Sequence, residues 1–125
     1  MMQFSTSSQQ LHLCCQPVDM RKNFDGLCAI VVNSFRMDPL RDGVFVFVNK
    51  ARDKMKLLVW DRHGYWLHYK RLEAGRFQMP PRDANTTASY EALSITCEQL
   101  LLIIEGIDLG SIRRRKRYAL PRIAA

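Results

Sequence analysis

VFVFVNKARDKMKLLVWDRHGYWLHYK, residues 44–70, is the stretch whose reading decides the fold. Val44 to Val48 is β-branched and aromatic throughout, the composition of a strand covered on both faces. Met55 to Asp61 and Tyr65 to Lys70 read as two further strands. Asp61-Arg62-His63-Gly64 between them suits a type I turn closed by a left-handed glycine bulge. That bulge sets a register in which Trp60 faces Trp66 and Lys56 faces Lys70. Leu57, Val59, Tyr65, Leu67 and Tyr69 then form the core face. A loop one residue shorter or longer shifts the register by one and mixes the two faces. After the Glu73-Ala74-Gly75 turn, Arg76 to Met79 reads as a fourth strand, ended by Pro80-Pro81.

Upstream the period changes. Met20, Phe24, Leu27, Cys28, Val31 and Phe35 recur at helical spacing, which predicts a helix over 20–36 with one apolar face. Asp19 reads as its N-cap and Asp38-Pro39 as its stop. Leu11 to Cys15 is expected to be an edge strand ended by Pro17. Downstream, residues 80–92 read as a linker or long loop. Thr96 and Gln99 form a capping-box pattern ahead of the apolar run LLLII, and Gly106 is a natural left-handed residue just past that helix. The predicted architecture is α+β: an antiparallel β-meander sheet packed by an N-terminal and a C-terminal helix. The expected organisation is a loose N-terminus at 1–10, one domain over 11–112 and a basic tail over 113–125.

Composition narrows the function. No run of roughly 18 apolar residues is present to span a membrane, and MMQFSTSSQQ lacks the features of a secretion signal, so a cytoplasmic protein is expected. Cys14, Cys15, Cys28 and Cys97 show no CxxC spacing. They read as reduced thiols, with Cys28 and Cys97 in the core. The acids are scattered and have structural assignments: Asp19 a cap, Asp61 a turn, Glu98 the first turn of a helix. His12, His63 and His68 form no His-x-His pair, and no Gly-rich phosphate loop occurs. The expectation is a chain that is not an enzyme and holds neither metal nor cofactor.

The positive signal is basic residues interleaved with aromatic ones. Lys and Arg number 19 against 12 Asp and Glu, a net charge of +7 that favours polyanionic partners. Lys50, Arg52, Lys54 and Lys56 cluster around one hairpin connection, and Lys70, Arg71 and Arg76 around the far side of the next. A phosphate between Lys56 and Lys70 would relieve their repulsion in the bulge register. Trp60 and Trp66 are the candidate base-stacking residues. Arg113, Arg114, Arg115, Lys116 and Arg117 form a second cationic block, which reads as a nucleic-acid arm.

Three segments carry a family resemblance. PVDMRKNFDGL (17–27), VFVFVNKARDKMKLLVWDRHGYWLHYKRLEAGRF (44–77) and LSITCEQLLLIIEGID (93–108) occur in the order found in the second-open-reading-frame accessory protein of the insertion-sequence-66 transposons, often labelled transposase TnpB. Asp19-Met20-Arg21, Lys56-Leu57-Leu58, Gly64, Lys70-Arg71-Leu72 and Gly75-Arg76-Phe77 make the likeness specific. Gln78-Met79 before Pro80 and the Cys14-Cys15 pair depart from the pattern. The resemblance implies a bacterial role in transposition beside a separate, larger catalytic transposase. It implies no activity of the chain itself. DNA, above all transposon ends, and that transposase are the expected partners. The alternative is a subunit that docks on the transposase with little DNA affinity of its own; a third reading, a metal-dependent nuclease, is disfavoured by the scattered acids.

Overall fold

The computed structural model of the protein describes residues 10–80, 91–108 and 113–114, with the backbone alone at 107, 108, 113 and 114. The stretch 44–71 forms the expected meander: β2 (Val44–Val48), β3 (Lys54–Asp61) and β4 (Gly64–Arg71), paired antiparallel in sequence. Every residue of β2 is buried, as its unbroken β-branched and aromatic run requires. The segment at 76–79 is no strand. It is held instead by a hydrogen bond from the Phe77 amide to the Arg52 carbonyl, and Phe77 is fully buried.

The sheet is larger than a meander and is mixed rather than wholly antiparallel. Its order is β4-β3-β2-β1-β5, with β1 (Leu11–Cys14) parallel to β2 and antiparallel to β5 (Ala92–Ile95). β1 is therefore an interior strand, not an edge, and all four of its residues are buried. Parallel neighbours require a crossover, and the helical segment between β1 and β2 supplies it. β5 falls partly in the stretch that reads as linker. Its four residues carry no turn-bounded pattern of their own and are fixed by pairing along β1. Backbone pairing also joins β6 (Ile107–Asp108) to β7 (Arg113–Arg114).

The crossover helix is shorter than its period predicts. α1 spans Phe24–Ala29 and runs into a π-helical turn, Ile30–Ser34, closed by the Phe35 amide on the Ile30 carbonyl at 3.1 Å. Arg36, at a φ of 58°, ends it. Asp19 is not its cap. The Asp19 carboxylate accepts from the Arg21 amide at 2.9 Å, closing a separate turn, and Asn23 occupies the N-cap position. Phe24 is thus the first helical residue. Helical side chains lean toward the N-terminus, so its ring projects past the helix end and is 43% exposed. Phe24, on the face expected to be apolar, thus lies outside the buried core, whereas Leu27 and Val31 are fully buried.

α2 (Cys97–Glu105) follows its sequence signature closely. Thr96 Oγ1 accepts from the Gln99 amide at 3.1 Å, and Gln99 Oε1 accepts from the Thr96 amide at 2.8 Å. Gly106 closes it at a φ of 81°. Leu100 and Ile103 pack with Leu11, Leu13, Val46, Met55 and Val59 on one sheet face. Leu27, Ile30 and Val31 pack with Phe45, Phe47 and Leu58 on the other. The result is an α+β domain whose two helices cover opposite faces of one sheet. All four cysteines are free thiols; Cys14 is the buried one, while Cys28 and Cys97 are half-buried at the margins of the two clusters.

Gly43 sits where β1 and β2 begin. Its φ is 115°, and a Cβ there would lie 2.1 Å from the Gln10 carbonyl oxygen, the acceptor of the Val44 amide. Gly43→Ala should cost about 2–4 kcal/mol, backbone strain adding to displacement of the parallel ladder. Leu27→Ala should cost about 2–5 kcal/mol, as a fully buried leucine does, and Phe24→Ala clearly less. Urea denaturation midpoints of the three variants check this ranking; a Phe24→Ala loss equal to that of Leu27→Ala would contradict the packing described.

Candidate nucleic-acid interface

The β3–β4 register differs by one residue from the bulge register. A two-residue loop, Arg62-His63, joins Asp61 to Gly64, and Arg62 rather than Gly64 takes the positive φ, at 50°. Lys56 is therefore opposite Tyr69, Met55 opposite Lys70, and Trp60 opposite Tyr65. The proposed Lys56–Lys70 phosphate clamp does not exist in this register, and Trp60 and Trp66 are not partners.

Lys56 does not reach solvent. It is 2% exposed, and its ammonium donates to the carbonyls of Met20 (2.7 Å) and Lys22 (2.8 Å) and to Asn23 Oδ1 (2.9 Å). Its Nζ also lies 4.7 Å from the centroid of the Tyr69 ring. Burial pushes this ammonium below the usual lysine value. The three oxygens and the ring face oppose that shift, because each favours the charged form. A lysine so engaged cannot also neutralise a phosphate.

The other cations remain at the surface and converge. The β2–β3 connection is a tight turn stapled by Asn49, whose Oδ1 accepts from the amides of Asp53 and Lys54, both at 3.0 Å, and whose Nδ2 donates to Asp53 Oδ1 at 2.7 Å. Arg52 completes it with a φ of 60°. The chain leaving β4 is tied to this turn by the Leu72 amide on the Asp53 carbonyl and the Phe77 amide on the Arg52 carbonyl. These bonds bring Lys50, Arg52, Lys54, Lys70, Arg71 and Arg76 to one end of the sheet. Lys54 lies 3.7 Å from Asp53 and Arg71 2.9 Å from Glu73. Among the described residues Lys50, Arg52, Lys70 and Arg76 are exposed and make no ion pair.

Beside this end runs an open groove of about 670 Å³, between the 17–21 loop and the 49–54 turn. Arg21, Lys50, Lys54 and Tyr69 contribute to its lining. Arg21 clamps Asp19, with Nη2 to Oδ2 at 2.6 Å, and its guanidinium holds that carboxyl down at about 2. Arg21 and Tyr69 escape a reading by charge runs alone. Tyr69 gains its position only when the register is right, and Arg21 only when the 19–22 turn docks on Lys56.

The tryptophans lie elsewhere. Trp60 meets Tyr65 edge to face at 5.0 Å near the Arg62-His63 loop. Trp66 is 56% exposed, stacks on His68 at 5.9 Å and donates from Nε1 to Asp61 at 3.2 Å. It shares a strand face with Lys70 but stands about 13 Å along the strand from it. Arg115, Lys116 and Arg117 lie outside the described residues, as do the side chains of Arg113 and Arg114. Among the described residues no group of three or more His, Cys, Asp or Glu side chains is arranged to hold a metal ion. No helix among them is long and apolar enough to cross a membrane.

Two outcomes follow from this geometry. Lys56→Met should destabilise the fold by about 2–4 kcal/mol, because it leaves loop carbonyls without their donor. Denaturant titration checks this, and a loss within about 0.5 kcal/mol, as for an ordinary surface site, would show the ammonium to be dispensable. His68 is the pH reporter. Burial lowers its pKa below the ordinary 6.5, and among the described residues its Nε2 has no hydrogen-bond partner. Protonation therefore favours the unfolded chain, so stability contributed by neutral His68 is present above pH 6.5 and declines as pH falls below it. Between pH 8 and 5.5 the denaturation midpoint should fall less in His68→Gln than in the native chain.

The family described as IS66 Orf2 like protein matches residues 9–114. Two proteins of Sinorhizobium fredii (strain NBRC 101917 / NGR234) are similar. Uncharacterized protein y4jC is 33% identical over 106 residues, 85% of this chain and 86% of its own. Uncharacterized protein y4hO is 33% identical over 90 residues, 72% of this chain and 73% of its own. No solved structure matches the chain. The match runs through the turn at Asp19, the buried Lys56, the whole meander and the capped α2, and on that span the chain belongs to the IS66 Orf2-like family, accessory proteins of insertion-sequence transposition.

Proposed function

We propose that the protein is a non-catalytic accessory factor of transposition that binds duplex DNA in the cytoplasm, chiefly through phosphates. The carrying observation is the set of exposed cations without ion-pair partners, Lys50, Arg52, Lys70 and Arg76, gathered at one end of the sheet. Arg71, Lys54 and the Arg113–Arg117 block add to the positive field. Phosphate contacts position a protein on DNA without reading sequence, so weak sequence preference is part of this reading. The larger catalytic transposase of the same element supplies the chemistry.

A second reading, docking on that transposase, has its own observation. Both sheet faces are covered by helices, but among the described residues β4 is an eight-residue edge strand with one side unpaired, and Trp66 is exposed on it. Such an edge is a template for strand addition.

Titration of labelled transposon-end DNA at two salt concentrations separates the readings. DNA binding through phosphates predicts a log–log slope of roughly −0.9 per phosphate contacted. Lys50→Glu with Lys70→Glu should weaken binding on all sequences alike, and deleting 113–125 should flatten the slope. Arg52→Gly should lower affinity while leaving stability equal or higher, since it relieves a left-handed backbone. Undetectable binding at low salt, with capture of the transposase that persists at high salt, would favour docking instead.

A further inference from the structure

The groove beside the cationic end has a feature that duplex binding does not use. Tyr69 lies in its lining and is 54% exposed, so part of its aromatic surface is open. The other side is fixed: Lys56 is buried, and its ammonium sits 4.7 Å from the ring centroid. A cation held against one face anchors the ring and draws electron density toward that side. The open surface is thereby a pre-positioned and electron-depleted partner for an electron-rich base. Lys50 and Lys54 line the same groove; among the described residues Lys50 makes no ion pair, and Lys54 lies 3.7 Å from Asp53. Arg21 and Asp19 neutralise each other there. A duplex presents only base edges and its backbone in its grooves, so a ring within the groove meets a base face only when that base is unpaired.

We infer that this groove is a single-stranded DNA site, in which Tyr69 stacks on an unpaired base and Lys50 and Lys54 hold the flanking phosphates. The inference rests on the proposed DNA binding and deepens it: the favoured ligand is a duplex bearing a single-stranded overhang, the form in which both the cationic end and the groove are occupied. Tyr69 is then a binding residue and Lys56 a positioning residue that acts through it.

The test uses the full chain and three labelled DNAs of one duplex sequence: blunt, with a short single-stranded overhang, and with the same overhang made abasic. The overhang should tighten binding on the order of tenfold, the effect of one stacked base, and the abasic overhang should lose most of that gain. Tyr69→Phe should keep the gain and Tyr69→Leu should lose it, the gain being read in each variant as the ratio of its overhang to its blunt-duplex affinity. The abasic comparison needs no variant, so it decides the matter even if Tyr69→Leu is poorly folded. Equal binding of blunt and overhang DNA, or a gain that survives on the abasic overhang, would overturn the single-strand site while leaving the duplex reading intact. Tighter binding of a single-stranded RNA of the overhang sequence would overturn the assignment to DNA. Failure to bind any of the three DNAs at low salt would overturn both proposals together.

Discussion

One buried ammonium organises this fold. The chain leaving β1 must cross a sheet face before it can run parallel to itself in β2, and it does so through a polar loop at 19–23. Carbonyls set down on a sheet must find donors. Lys56 supplies them from β3, reaching Met20, Lys22 and Asn23 at once. Asn23 Oδ1 is thereby engaged by the lysine, and no side chain caps the first turn of α1. That turn begins where the lysine releases the chain. The length of α1, the exposure of Phe24 and the docking of the Asp19–Arg21 turn all trace to this contact.

The same contact links the core to the surface. Lys56 touches the loop on one side and the Tyr69 ring on the other. The groove between the 17–21 loop and the 49–54 turn is shaped by both. With helices on both faces of the sheet, the described residues leave an end and an edge of it uncovered. The end carries the cations and the groove; the edge carries Trp66 and the free backbone of β4. The two places are distinct, so the proposed DNA binding and the alternative docking on the transposase would not compete for one surface.

Among the described residues three arginines hold left-handed backbone, Arg36, Arg52 and Arg62, at the end of the crossover helix and in the two hairpin loops. A non-glycine residue there costs on the order of 1 kcal/mol or more. At Arg52 that cost places a guanidinium on the cationic end while the Asn49 staple holds the turn. At Arg62 it makes the loop two residues long and so fixes the register of the longest hairpin.

The sequence by itself determined what depends on neighbours in the chain. The capping box of α2, its closure at Gly106, the buried character of Val44–Val48 and the order of the meander are all local, and each follows from side-chain spacing or from hydrogen bonds spanning a few residues. The family, too, was legible in its motifs. The basic residues were legible as a set, but not their division into surface and core. That division was decided by the tertiary structure. β5 exists because β1 offers it a partner far away in the chain, and β1 is interior for the same reason. The Asp-Arg-His-Gly loop is compatible with more than one backbone path, and the path taken shifted every cross-strand pair by one. Because successive strand residues face opposite ways, that single step put Tyr69 opposite Lys56 and Lys70 opposite Met55. Lys56 reads in the sequence as one more cation beside Lys50 and Lys54; only the approach of the 20–23 carbonyls, which no local pattern encodes, makes it the buried anchor.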